Sequence, residues 1–133
     1  MDFELSEELL AVQDAARQFA EKEVAPTVDE DDREHRFRRD LVRKMGELGF
    51  FGCVIQEEYG GTNTGFLSLV IITEEIARIH SSLRVAINMQ LGPAMALLEF
   101  GSEPLKERYL AKIATAELLS CFAITEPDAG SDV

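Results

Sequence analysis

Two apolar stretches in the middle of the chain decide its fold. Residues 69–100 read LVIITEEIARIHSSLRVAINMQLGPAMALLEF. In the first stretch, one face carries four apolar residues at intervals of three and four: Leu69, Ile72, Ile76 and Ile79. That spacing predicts an amphipathic helix. Because Val70 and Ile71 make the helix apolar on more than one side, we expect it to lie at the centre of an all-α helical bundle, with orthogonally crossing helices.

The second stretch predicts another long helix, over residues 83–100. Pro93 lies inside it, and proline has no backbone N–H to donate to the preceding turn. We therefore expect a kink or an interruption at Pro93. Gly101 is expected to end the helix. His80, at the junction between the two stretches, is interpreted as a structural residue.

Two further amphipathic helices are predicted on the amino-terminal side. The first covers about residues 6–24, with Ser6 as its N-terminal cap and Pro26 beyond its end. The second covers residues 37–48 and ends at Gly49. Four apolar residues of the second helix are expected to face inward: Phe37, Leu41, Met45 and Leu48.

A run of charged residues separates these two helices. Residues 29–36 read DEDDREHR, which we interpret as a solvated loop or a helix end. A cation site is the alternative, and the interleaved arginines argue against it. Further along, residues 50–55 form a short apolar run, and Gly60 and Gly61 predict a tight turn.

Beyond Gly101 the sequence predicts one more helix and then a change of structure. Ser102 is expected to cap the helix, and Leu105, Tyr109 and Leu110 are expected to face inward. Residues 113–119 predict a further short helix or turn.

The chain after this helix changes in character. Residues 118–124 read LLSCFAI and predict an extended segment, the first in an otherwise helical chain. We therefore expect residues 1–117 to form a helical domain. Residues 118–133 are expected to supply the first strand and a turn of a second, β-type domain, so that the chain is the front part of a longer protein.

Composition excludes several classes of function. The chain has 133 residues, 46% of them hydrophobic, and a formal net charge of −12. Such an acidic surface argues against binding to nucleic acid or to anionic membrane faces, which need lysine and arginine. No apolar run reaches about 18 residues, so no membrane span is predicted. The acidic start, MDFE, does not resemble a secretion signal.

The two cysteines and two histidines do not suggest a metal site. Cys53 and Cys121 lie far apart and are interpreted as buried free thiols in a reducing compartment, the cytoplasm or the mitochondrial matrix. His35 and His80 are 45 residues apart, which makes a shared metal ion improbable.

The turn at residues 125–132 carries groups that could form a ligand-binding site. Gly130 allows close approach of a ligand, and successive amides with the Ser131 hydroxyl could hold a pyrophosphate. Thr125 and the backbone of Ile124 could bond the edge of a flat heteroaromatic ring, with Phe122 packed beside it. From the residues alone, an ordinary connecting turn remains the alternative.

Several motifs together resemble one family. Residues 122–132, FAITEPDAGSD, are similar to the first signature of the acyl-CoA dehydrogenase flavoproteins. Residues 57–61 (EEYGG), 74–78 (EEIAR) and 100–103 (FGSE) occur in the order of that family's N-terminal helical domain. The resemblance therefore covers nearly the whole chain.

The resemblance implies an oxidoreductase that binds FAD and removes one hydrogen from each of the α and β carbons of an acyl-CoA thioester. It places Phe122, Ile124 and Thr125 along the isoalloxazine ring of FAD. It places Gly130 and Ser131 at the pyrophosphate, with Ser131 also near the CoA arm of the substrate. It further implies an electron-transfer flavoprotein or similar acceptor, and a homo-oligomer, usually a tetramer.

The same resemblance assigns no catalytic residue to this chain. The family's base is a glutamate of a C-terminal helical domain, which would lie beyond Val133, and Glu126 is not assigned that role. The chain alone is therefore expected to be inactive. The alternatives are a helical interaction module without redox chemistry and an inactive fragment.

Arg84 points to one branch of the family. The segment SSLRVAIN, residues 81–88, resembles glutaryl-CoA dehydrogenases, in which an arginine holds the distal carboxylate of the substrate. The alternative is a helix-start arginine that meets a local acid or solvent. Val85 and Ala77 stand where decarboxylating members carry polar or acidic residues, which disfavours decarboxylation. The expected substrate is glutaryl-CoA or a related short or alicyclic acyl-CoA.

The resemblance leaves two readings for a pair of apolar residues on the same helix. Met89 and Leu91 are interpreted as core residues, with the lining of an acyl pocket as the alternative.

Overall fold

The computed structural model describes residues 4–132 and shows six α-helices within that range. They are α1 (Glu7–Phe19), α2 (Val28–Arg33), α3 (Arg39–Glu47), α4 (Phe66–Ile79), α5 (Ser81–Phe100) and α6 (Glu103–Ala114). A π-helical turn, Ala20–Val24, continues α1, and a 3₁₀ turn, Glu57–Tyr59, precedes α4. The described residues contain no strand, and the all-α fold class is confirmed. Residues 1–3 of the acidic start, and Val133, lie outside the described residues.

The first helix begins as the sequence predicts. The Ser6 hydroxyl accepts a hydrogen bond from the Leu9 amide at 3.3 Å, and Glu7 and Glu8 lie at the positive end of the helix dipole. The π-helical turn extends the helix to Val24, so the predicted bounds of 6–24 are confirmed. Val24 itself is 1% exposed and anchors this end in the core.

The core lies between α1, α4 and α5. Helix α1 packs against α4, α4 packs against α5, and α5 packs against α6. The buried side chains at these contacts include Ile72 and Ile76 of α4 and Ile87 and Leu91 of α5. Each fully buried side chain of this size contributes about 2 kcal/mol by removal from water. The prediction that α4 is central to the bundle is therefore confirmed.

The short apolar run at residues 50–55 completes the core without forming a helix or a strand. Phe51 and Ile55 are fully buried, and the Phe50 ring meets Phe19 edge-on with 5.8 Å between ring centroids. Gly60 has a φ of 82°, which a side chain would strain, and it forms the predicted tight turn.

The charged run is less exposed than the sequence suggests. Residues 28–33 form α2, and Asp31 is buried, with 2% of its surface exposed. The Thr27 hydroxyl donates to its carboxylate at 2.7 Å, and Arg38 and Arg36 pair with it at 3.0 and 3.2 Å. The expectation of a fully solvated segment is therefore wrong at Asp31, because two arginines and a hydroxyl compensate its burial.

Three further expectations have different outcomes. Helix α5 is continuous through Pro93, so the predicted interruption is wrong, while a kink there stays a prediction. Residues 118–124 pair with no other segment in residues 4–132, and their place in the first strand of a second domain stays a prediction. Cys53 is buried as expected, and burial raises the pKa of its thiol to about 11, whereas Cys121 is exposed.

Several side chains expected in the core face outward. Phe37 is 63% exposed because α3 begins only at Arg39, which leaves Phe37 outside the helical face. Leu48, just after α3, and Leu105, in the first turn of α6, are 51% and 42% exposed. These three residues lie at or beyond helix ends, where the helical spacing no longer sets the direction of a side chain.

Candidate functional site

The candidate site is built on the segment that leaves α6 and crosses α5. One buried side chain of α5, Gln90, holds the start of this segment and is 2% exposed. Its Nε2 atom donates to the carbonyl oxygens of Ile113 at 2.8 Å and Leu118 at 2.6 Å. Its Oε1 atom accepts from the amide of Ser120 at 3.0 Å. The Gln90 side chain therefore bonds three backbone groups, of which the Ile113 carbonyl also accepts from the Ala116 amide at 3.1 Å.

Ser120 makes a second attachment through its hydroxyl group. The Ser120 Oγ atom lies 3.2 Å from the Met89 carbonyl oxygen and 3.0 Å from the Gln90 carbonyl oxygen, within donating distance of both. In an uninterrupted helix the Met89 carbonyl would accept from the amide four residues later. That residue is Pro93, which has no N–H, so the carbonyl is free to receive the serine hydroxyl.

Phe122 lies directly on the surface of α5. A Cβ atom added to Gly92 would meet the Cε2 atom of Phe122 and would lie 2.6 Å from its Cζ atom. The absence of a side chain at Gly92 thus creates the space that the aromatic ring fills. The ring remains 47% exposed, so one part rests on the helix and another part is open to a ligand.

A tight turn follows. The Glu126 amide donates to the Ala129 carbonyl at 2.8 Å, and the Ala129 amide donates back at 3.3 Å. This pairing closes a turn around Pro127 and Asp128 and brings Thr125 and Gly130 to the same open end of it. No atom lies within 4 Å of a Cβ built on Gly130, so the backbone there is accessible.

The residues present fit a flat, partly apolar ligand. Ile124 is 56% exposed and Phe122 is 47% exposed, although both are large apolar side chains. Thr125 and Ser131 add exposed hydroxyl groups near them in sequence. Phe122, Ile124 and Thr125 all lie exposed on this one segment. Their contacts with FAD stay a prediction.

Arg84 lies in the first turn of α5, away from residues 122–131 in sequence. Its Nη2 atom is 3.4 Å from the Ser81 hydroxyl, and it forms no ion pair within residues 4–132. It is the only charged residue of α5 before Glu99. A cation is unfavourable at the positive end of a helix dipole, so helix stability does not explain its presence.

The apolar neighbours of Arg84 divide between the core and the surface. Leu91 is 2% exposed and belongs to the core. Met89 and Val85 are partly exposed and, with Leu119 and Ser120, line a cavity of about 360 Å³ beside α5.

The strongest electrostatic interactions lie outside this segment. Arg17 donates to both carboxylate oxygens of the buried Glu75, at 2.8 and 3.1 Å, and Arg78 pairs with it at 2.9 Å. These contacts, the hydrogen bond from Arg17 first, lower the pKa of Glu75. Tyr59 donates to Glu103 at 2.5 Å, and that bond raises the pKa of Tyr59 to about 12. These groups serve packing between helices.

The described part of the chain lacks two kinds of feature. Residues 4–132 hold no group of three or more metal-binding side chains. None of their helices has the length and apolar character that a membrane crossing needs.

The family follows from a match that covers most of the chain. The model of the acyl-CoA dehydrogenase N-terminal domain matches residues 6–117. The chain belongs to the acyl-CoA dehydrogenase family. The glutaryl-CoA dehydrogenase of Desulfococcus multivorans is 53% identical over 137 residues, which cover 100% of this chain and 35% of that protein. The chain thus spans about a third of the length of this curated relative.

Solved structures of the family share the fold. The glutaryl-CoA dehydrogenase in complex with glutaryl-CoA superposes with a TM-score of 0.95 at 52% identity, over 99% of this chain and 34% of that one. A chain from a study of the electron transferring flavoprotein of Acidaminococcus fermentans gives 0.95 at 39%, over 98% and 35%. The acyl-CoA dehydrogenase of Bacillus anthracis in complex with FAD gives 0.85 at 31%, over 97% and 22%.

Sequence reasoning missed the residues that hold the segment in place. Gln90, Gly92 and Ser120 were not singled out, because their partners are 23 to 30 residues away along the chain. One signal was available: the order Gln-x-Gly-Pro inside a helix combines a long polar side chain, a missing Cβ and a missing N–H.

Proposed function

We propose that the chain serves as the N-terminal domain of an FAD-dependent acyl-CoA dehydrogenase. We use the term carrier enzyme for the full-length enzyme that contains this chain as its N-terminal domain. The carrier enzyme oxidises the α,β C–C bond of an acyl-CoA thioester, with glutaryl-CoA or a related short or alicyclic acyl-CoA as substrate. The observation that carries this proposal is the exposed segment from Phe122 to Ser131, attached to α5 in a chain of this family.

The segment supplies one side of the cofactor site. Phe122 and Ile124 offer apolar surface to the isoalloxazine ring, and the Thr125 hydroxyl bonds its polar edge. The open backbone at Gly130 and the Ser131 hydroxyl hold the pyrophosphate, and Ser131 also lies near the CoA arm. When bound, FAD supplies the acceptor for the hydride that leaves the β carbon. The chain's own residues orient the ring and keep water from one of its faces.

The proton from the α carbon goes to a group outside this chain. The one carboxylate of the turn's first half, Glu126, uses its backbone to close the turn and its side chain is exposed. We assign no catalytic base to residues 4–132. The 133-residue chain alone is expected to show no turnover, and the carrier enzyme is expected to form a tetramer and to pass electrons to an electron-transfer flavoprotein or similar acceptor.

Arg84 sets the substrate preference in this proposal. Its guanidinium group binds the distal carboxylate of glutaryl-CoA through paired hydrogen bonds, which a neutral acyl chain cannot form. Two observations support this role: Arg84 lacks an ion pair within the described residues, and it lies where a cation weakens the helix. The similarity to a glutaryl-CoA dehydrogenase over the whole chain supports the same substrate.

The test is the Arg84→Ala variant of the carrier enzyme, assayed with glutaryl-CoA and with butyryl-CoA. Loss of charged hydrogen bonds is expected to lower kcat/KM for glutaryl-CoA by about tenfold to a hundredfold. The value for butyryl-CoA should change by less than about threefold, since that substrate has no distal carboxylate.

The matched control is Arg108→Ala, which removes the same charge from α6. Arg108 lies over the Tyr109 ring, 5.1 Å from its centroid. This variant should leave the ratio between the two substrates unchanged. Equal losses for both substrates in Arg84→Ala would overturn the carboxylate role of Arg84.

A further inference from the structure

We propose that one turn of α5, residues 90–93, is a positioning site that sets where the flavin-binding segment begins. We call these four residues the α5 seat. The inference rests on the proposed function and adds to it three positioning residues: Gln90, Gly92 and Pro93. Gln90 supplies an amide group, Gly92 lacks a side chain and Pro93 lacks an N–H, and together they accommodate atoms of Leu118, Ser120 and Phe122.

Gln90 fixes the position of residues 118–122 along the axis of α5. A primary amide has two donor hydrogens and an acceptor oxygen, and Gln90 uses all of them. The hydrogens go to Ile113 and Leu118, and the oxygen accepts from the Ser120 amide. Because the side chain is 2% exposed, a shift of the segment by one residue would leave buried polar atoms unpaired.

Pro93 contributes through the hydrogen bond that it cannot make. Its missing N–H leaves the Met89 carbonyl without a helical partner, and the Ser120 hydroxyl lies 3.2 Å from that oxygen. The hydroxyl and the amide of Ser120 are therefore held by neighbouring atoms of the same helical turn. These two hydrogen bonds at Ser120 restrict both its position along the axis of α5 and the orientation of its backbone.

Gly92 then determines where the ring of Phe122 rests. The ring occupies the space that any side chain at position 92 would need. Phe122 follows Ser120 by two residues, so the attachment of Ser120 delivers the ring to this position. The α5 seat thus fixes the backbone at Ser120 and, through it, the position of the Phe122 ring.

The same helix carries Arg84, eight residues before Gly92. Eight residues of an α-helix span about 12 Å along its axis. Since α5 is continuous, the separation between the proposed carboxylate ligand and the resting place of Phe122 is set by helix geometry. A change at the α5 seat should therefore move the flavin relative to the substrate without moving Arg84.

The first experiment measures amide hydrogen exchange at Ser120 in the 133-residue chain, in the wild type and in Gln90→Leu. The wild-type amide should be protected, and Gln90→Leu should raise its exchange rate by about tenfold or more. The control is Ile72→Val, a buried change at the contact between α1 and α4 that should lower stability without selective exchange at Ser120. An unprotected Ser120 in the wild type would overturn the inference.

The second experiment uses the carrier enzyme with bound FAD. Gln90→Leu and Gly92→Ala should each change the visible circular dichroism of the flavin and raise the Kd of FAD by about tenfold. Gly92→Ala is the more robust variant, because alanine favours a helix over glycine and its methyl group acts directly on the Phe122 ring. Ile72→Val should leave both readouts unchanged.

The outcomes separate the two claims. If the wild-type carrier binds no FAD, the proposed function fails. If it binds FAD and neither Gln90→Leu nor Gly92→Ala alters the flavin spectrum or the Kd, the positioning role fails while the proposed function stands. If Ile72→Val produces the same spectral change, the effect reflects general stability, which also overturns the positioning role.

Discussion

The buried carboxylate of Glu75 makes the stability of the fold depend on pH. Glu75 is 3% exposed, yet it remains charged because Arg17 binds both of its oxygens and Arg78 binds one of them. The pKa of Glu75 is therefore lowered in the folded chain. A folded pKa below the unfolded value means that the ionised group stabilises the fold at neutral pH. That contribution decreases as the pH falls below the unfolded value of about 4.3.

We predict that Glu75→Gln lowers the free energy of unfolding by about 2 kcal/mol at neutral pH, because the arginines lose their charged acceptor. The difference between the wild type and the variant should shrink as the pH falls through the folded pKa of Glu75, since both side chains are then uncharged. Urea unfolding, followed by circular dichroism at neutral and at acidic pH, measures both differences. A difference that stays constant with pH would show that Glu75 is not the titrating group.

The residues of the candidate site divide into those that sequence could identify and those that it could not. Phe122, Thr125 and Gly130 are recognisable because they belong to a contiguous motif with its own chemistry. Gln90 is not, since a glutamine in an apolar helix shows nothing about carbonyl groups 23 and 28 residues away. Asp31 was missed for the same reason, because its compensation depends on how the chain folds back after α2.

At the scale of elements, α3 and the turn that follows α6 approach each other closely at Gly46. A Cβ atom on Gly46 of α3 would lie 2.5 Å from the carbonyl carbon of Thr115 and 2.9 Å from the Cβ of Ala116. The turn at Thr115 and Ala116 contains a residue with positive φ, Ala116 at 56°. A side chain at position 46 would therefore require α3 or the turn at Thr115 and Ala116 to shift.

We predict that Gly46→Ala destabilises the chain by about 2 kcal/mol, because the clash outweighs the gain of about 1 kcal/mol that alanine brings to a helix. Glu47→Ala, at the exposed next position, should change the stability by less than about 0.5 kcal/mol. Thermal unfolding by calorimetry compares the two variants. A Gly46→Ala variant as stable as the wild type would contradict the described contact.

Helix periodicity predicted the long elements well, but it did not predict the direction of side chains at or beyond helix ends, such as Phe37 and Leu48. The spacing of Ile72 and Ile76 places α4 correctly, since a buried face must repeat with the helix. A kink or an interruption was expected at Pro93, but α5 is continuous there, and the Ser120 hydroxyl lies 3.2 Å from the Met89 carbonyl that has no N–H of residue 93 to accept. The strand at 118–124 needs a neighbouring strand, and sequence pattern alone does not provide one.

At the scale of the whole molecule, the proposed function requires that the chain supply only part of a flavin site. It spans about a third of the length of the family members that it matches. The large apolar side chains of the segment, Phe122 and Ile124, are about half exposed, while the Gln90 side chain that attaches the segment to α5 is buried. This arrangement suits a segment whose α5-facing side is held by hydrogen bonds and whose exposed side binds a ligand.

The most direct test of this account is anaerobic titration of the carrier enzyme with glutaryl-CoA while the visible absorbance of its flavin is recorded. The account predicts that the purified protein is yellow with bound FAD, and that glutaryl-CoA bleaches the flavin band by reducing the cofactor. A colourless protein that does not take up FAD, or a bound flavin that no acyl-CoA reduces, would contradict it.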